Sequence, residues 1–189
     1  MSPPPLLSTL LIGGILTLLG YIYFLPRVSP TQPVSALWFG IQGPVRTVYY
    51  VSIVLAAIAF LVMSGWMLFR PSSNHSSERR VQETRGLSVF FAGAILWSVT
   101  LWIWGQVSGA NHTHSSSRTV ASGIAELAVM MALILTTVGA LLLLLEWTNS
   151  GLNNGQHAPW WVVVAAGYVL FHVGVLDNIG WGVAFLCRA

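Results

Sequence analysis

Lysine is absent from this 189-residue chain, and charge of either sign is scarce. Eight arginines and five acids make up 7% of the residues, against about 25% in an ordinary soluble domain. So few charges cannot cover a water-facing surface of this size. The missing lysine also excludes chemistry that needs a Schiff-base amine, including a covalently held retinal. A single cysteine, Cys187, excludes an intrachain disulfide. The formal net charge of +3 comes from arginines scattered among short loops. Such an arrangement suits lipid headgroups and not nucleic acid, which requires clustered basic residues. No P-loop, dinucleotide fingerprint, nucleophile elbow or zinc-protease helix occurs, so no enzyme class is indicated.

What is abundant is apolar. Hydrophobic residues make up 55% of the chain, nine of them tryptophan, and the mean hydropathy is +0.74. A helix crosses the hydrocarbon layer in roughly 20 residues, and apolar runs of that length recur. The expectation is an all-α polytopic transmembrane bundle of about five spans, near 5–25, 48–69, 87–108, 120–145 and 160–186. One integral membrane domain with short loops then occupies 1–189. The run Leu6–Phe24 reads as a span and not a signal peptide, because no basic residue precedes it and no small-x-small cleavage site follows.

Between spans one and two, Pro26, Pro30, Pro33 and Pro44 forbid a continuous helix, and the apolar island Ala36-Leu37-Trp38-Phe39 is of interfacial length. Residues 70–86 are the most polar stretch and are expected to be an aqueous loop. Residues 109–118 and 146–159 are expected to connect the later spans. Trp161 and Trp181 lie ~30 Å apart at helical rise, so they would mark the two membrane faces. Five spans put the termini on opposite sides. Side A holds the amino terminus, the 70–86 loop and the 146–159 loop; side B holds the Pro-rich loop, the 109–118 loop and the carboxy terminus. Arg70, Arg79, Arg80 and Arg85 fall on side A, and Arg27, Arg46, Arg118 and Arg188 on side B. The positive-inside rule therefore assigns no orientation.

Ionisable groups inside a bilayer are costly and mark function by default. Glu126, His172 and Asp177 are the three such groups. Counted from the expected span ends, Glu126 and Asp177 lie at similar depth in the side-B half, with Gln106, Asn178 and Arg46 near that level. A polar site there would suit a proton relay, cation binding or recognition of a basic ligand. At 100° per residue, His172 and Asp177 are ~140° apart and should occupy different faces. No second intramembrane histidine exists for a bis-His haem site, and His112-x-His114 supplies only two of the ligands a metal needs. No cofactor or metal is assigned. Gly167 and Gly174, seven apart, would let a helix approach closely, from this chain, a second copy or a membrane-complex partner. Trp97 and Trp104 also share a face.

The end of span five, Val175-Leu176-Asp177 followed by Trp181-Gly182, resembles the last helix of microbial opsins over about a dozen residues. Trp181 stands where that family carries its retinal lysine, so the resemblance implies no covalent pigment. Five spans and abundant tryptophan resemble the translocator protein family in composition, without its Pro- and Trp-rich first loop. Neither likeness assigns a family. The functional expectation is a small transporter, carrier or ligand-binding sensor with its polar site in one half of the bilayer. The alternative is a structural or assembly subunit of a larger membrane complex.

Overall fold

The computed structural model describes residues 5–24, 27, 41, 43–69, 77–111, 120–154 and 158–186. The apolar island at 36–39, His75, His112, His114, His157 and Cys187 lie outside the described residues. Among the described residues, five helices are long and apolar enough to cross a membrane, and no strand occurs. They are α1 (Pro5–Phe24), α2 (Gly43–Phe69), α3 (Ser77–Asn111), α4 (Val120–Asn154) and a fifth span in three pieces. Those pieces are α5 (Trp160–Phe171), a π-helical segment (His172–Trp181) and α6 (Gly182–Leu186).

Three boundaries differ from expectation, each for a local reason. Helix α2 begins five residues early because Gly43 turns the chain at φ +60° and Pro44 follows in the first turn, where its missing N–H costs nothing. Helix α3 begins at Ser77, so 77–86 is not a loop. Helix α4 runs on to Asn154. The last two extend the α3–α4 pair beyond side A, where Glu83 and Trp147 are both buried and the indole Nε1–H donates to Glu83 Oε1 over 2.9 Å. A buried carboxylate requires such a donor, and its partner lies 64 residues along the chain.

Glycine sets how closely α3 and α4 approach. A Cβ on Gly93 would strike the backbone of Thr136, one on Gly139 would strike the backbone of Phe90, and one on Gly86 would lie 3.0 Å from Leu143. These three contacts share one antiparallel register along the pair. Burial of apolar surface drives no association in lipid, so close van der Waals fit at small residues takes its place. Helix α1 packs parallel to α3 by the same device, with Gly13 against Phe91 and Gly20 against Ser98. Helix α5 lies against both α4 and α2. A side-A core forms from Leu6, Met63, Leu87, Phe91, Leu143, Trp147 and Val162. A second core toward side B joins Tyr49, Leu101, Val129, Leu133 and Trp181. The outer faces of α1 and α2 present Leu, Ile and Val outward, as a lipid-facing surface does.

Overpacking a tight contact costs about 1–3 kcal/mol. Gly93→Leu and Gly139→Leu should therefore each lower the thermal unfolding midpoint in detergent. Gly14→Leu should not, because a side chain there meets nothing within 4 Å. Equal midpoints for Gly93→Leu and Gly14→Leu would contradict the glycine register. Trp147→Phe strips Glu83 of its indole donor and should destabilise the side-A end by about 1–3 kcal/mol.

Candidate functional site

The fifth span changes winding where its polar residues begin. From His172 to Trp181 the backbone is π-helical, a form otherwise met as single turns and often at functional sites. In this winding each N–H reaches the carbonyl five residues back, so a turn takes in more residues and those five apart come onto nearly the same face. His172 and Asp177 are five apart. Contrary to the α-helical expectation, they share a face, with His172 Nε2 3.7 Å from Asp177 Oδ2.

Hydrocarbon offers this wider ladder no donors, and neighbouring side chains add theirs to its carbonyls. Asn178 Nδ2 reaches Val173 O (2.7 Å) and Leu133 O (3.1 Å), and lies 2.6 Å from Thr137 Oγ1. Thr137 Oγ1 itself lies 3.3 Å from Val173 O. Tyr49 donates its hydroxyl to Leu176 O and faces the backbone N–H of Trp181. Leu176 O and the Trp181 N–H are the two ends of one i→i+5 rung. A Cβ on Gly180 would collide with that hydroxyl, so the approach requires glycine there.

A polar chain leads to the pair. Tyr168 OH lies 3.0 Å from Ser52 Oγ, which lies 2.9 Å from His172 Nδ1. Tyr168 at the end of α5 and His172 at the start of the π segment are four apart, hence on one face, and Ser52 is buried on α2 opposite them. The four groups Tyr168, Ser52, His172 and Asp177 thus run in sequence toward side B. The His172 side chain is 9% exposed and that of Asp177 30%. Tyr21 of α1 and Tyr49 are within electrostatic reach of the carboxylate. Beside it, Trp97 packs edge-on to Trp181 and to Tyr21 at 5.9 and 5.7 Å between ring centroids.

The remaining expected members divide between this set and the side-B interface. Asn178 belongs to the first as an anchor to α4. Gln106 is exposed and donates to Arg27 O over 2.9 Å. Arg46 reaches the Tyr50 hydroxyl one turn on, at 3.1 and 3.3 Å. Glu126 is buried on α4, but helix register separates it from Asp177. Gly174 lies against Thr137 and Gly182 against Met130, which puts Asp177 level with residues near Ile134 and Leu135. Glu126 is roughly nine residues, or ~13 Å, closer to side B. Depth counted from span ends assumed that Val120 and Trp181 sit at one level; the register places Val120 well beyond Trp181.

Sequence reasoning passed over Ser52, Tyr168, Thr137 and Tyr49. Tyr168 at four residues before His172 was a readable signal, whereas Tyr49, at the start of span two, has no sequence relation to the fifth span. Gly174 makes ordinary contact with Thr137 within the chain, and a side chain at Gly167 would meet nothing within 4 Å. No group of three or more metal-ligating side chains occurs among the described residues. Comparison with protein-family models, curated proteins and solved structures gives no match for this chain, so its chemistry rests on the geometry above.

Proposed function

We propose that this membrane protein is a small transporter or sensor whose His172–Asp177 pair takes up a proton or a cationic solute within the bilayer. The 3.7 Å approach of an imidazole to a carboxylate inside a span carries this reading. Groups of this kind are too costly in hydrocarbon to serve as filler, and intramembrane carboxylate–histidine chains are the usual parts of proton relays. Imidazole can accept at one nitrogen and donate at the other. A proton received from Asp177 at Nε2 can therefore be balanced by release from Nδ1 to Ser52 and on toward Tyr168. The 3.7 Å gap exceeds hydrogen-bond length, so transfer needs a small rotation of either side chain or a bridging water. Asp177 is the more exposed of the two, which makes it the entry group.

Purified protein in liposomes holding a pH-sensitive dye, driven by a potassium diffusion potential, tests the reading. The wild type should acidify or alkalinise the lumen faster than empty vesicles. Asp177→Asn and His172→Gln should each cut that rate by about tenfold or more, the order expected on loss of a proton-transfer group, with unchanged helicity and elution. Wild-type flux equal to that of empty vesicles, or flux indifferent to both substitutions, would refute the proposal.

A second reading, a subunit of a larger membrane assembly, is favoured by the open notch at Gly167 on α5, since small residues admit a partner helix. It predicts a stoichiometric partner retained from native membranes in mild detergent and lost on Gly167→Leu. A Gly167→Leu protein that keeps the same partner would remove this reading.

A further inference from the structure

We propose that Tyr49 is the positioning residue of the fifth span: its hydroxyl, seated against Gly180, engages both ends of one rung of that span's backbone ladder and so holds His172 and Asp177 on one face. This rests on the reading of the pair as the uptake site. It adds a residue on another helix that decides whether the pair exists.

Three observations carry it. Tyr49 is 5% exposed, and its hydroxyl meets the Leu176 carbonyl while facing the Trp181 N–H. A side chain that engages the ladder from outside is a known cause of altered helix winding. Second, Gly180 is incompatible with any Cβ while Tyr49 stays where it is, so the wedge and its socket are matched across two helices. Third, the other donors to the segment act elsewhere. Asn178 and Thr137 serve Val173 O, at the start of the π segment, and leave Leu176 and Trp181 to Tyr49.

Magnitudes separate Tyr49 from the others. Interhelical hydrogen bonds in membranes average about 0.6 kcal/mol, so losing Asn178 or Thr137 alone should leave the winding intact. Losing Tyr49 is different in kind. Without the hydroxyl, nothing outside the ladder holds Leu176 O and the Trp181 N–H together, and the commoner α-helix, in which Leu176 O takes the Gly180 N–H instead, is no longer opposed at that rung. Return to α geometry puts His172 and Asp177 ~140° apart. Asp177 would then leave the imidazole, and the chain from Tyr168 would end at His172. The surrounding bundle need not change, because the Tyr49 ring stays in the buried cluster it shares with Leu101, Val129, Leu133 and Trp181.

A disulfide trap reads the winding without reference to transport. In a Cys187→Ala background, His172→Cys and Asp177→Cys together should cross-link under mild oxidation, since bridging needs Cα atoms closer than about 7 Å. Adding Tyr49→Phe keeps the ring and removes only the hydroxyl; adding Gly180→Ala keeps the hydroxyl and blocks its seat. Both should lower the cross-linked fraction at least ~fivefold, because five residues apart on an α-helix the Cβ vectors diverge. Asn178→Leu in the same background should not. If Tyr49→Phe cross-links as well as its parent, the proposal is overturned, and so it is if the parent itself fails to cross-link while eluting as a folded species. Flux distinguishes this proposal from the one beneath it. Vesicles without wild-type flux refute uptake at the pair but leave the trap result standing. In conducting vesicles, Tyr49→Phe should slow flux about as much as Asp177→Asn while helicity is retained.

Discussion

Within hydrocarbon every backbone N–H and C=O must find a partner inside the protein, because no water is there to take its place. An α-helix meets this demand alone; a π-helix of ten residues does not hold without help. The fifth span is wound in the form that requires help, and Asn178, Thr137 and Tyr49 provide it. All that is distinctive about the site follows from that winding. It brings residues five apart onto one face, and the only aspartate of the chain thereby meets the imidazole of His172.

The rest of the bundle works as the frame for those donors. Thr137 and Leu133 are offered to Asn178 by α4, whose position against α3 is set by contacts at Gly86, Gly93 and Gly139. The side-A end of the same pair is clasped by Trp147 and Glu83. On the opposite flank, α2 presents Tyr49 and Ser52 three residues apart, hence on nearly the same face. One reaches the ladder and the other the imidazole. A helix whose outward side is plain aliphatic surface thus contributes two polar groups on its inward side.

Much of this architecture was legible in the sequence because bilayer thickness is a hard constraint. Apolar runs near 20 residues, punctuated by proline, glycine and charge, could satisfy it only as spans. The extended hairpin was not legible, since Glu83 stands in a stretch rich in arginine and serine, and polarity alone says loop. Its burial depends on Trp147, and no local rule pairs residues so distant. Glu126, His172 and Asp177 stood out because ionisable groups are rare in spans. Their grouping did not, because it depends on winding and register. Counting at 100° per residue separated His172 from Asp177, and counting from span ends brought Glu126 to the level of Asp177. The sequence hints at altered winding through Gly174, Gly180 and Gly182, which relax the backbone around the polar residues, but the partner that exploits it lies on another helix.

Asp177 is the single aspartate, so aspartate labelling marks one carboxyl in the whole protein. Solid-state nuclear magnetic resonance on protein in lipid bilayers, with carboxyl-labelled aspartate and ring-labelled histidine, measures the dipolar coupling between that carbon and an imidazole nitrogen. The account predicts a resolved through-space coupling to His172, lost on His172→Gln. Absence of any such coupling in the folded protein would mean that His172 and Asp177 do not meet, and would contradict the account.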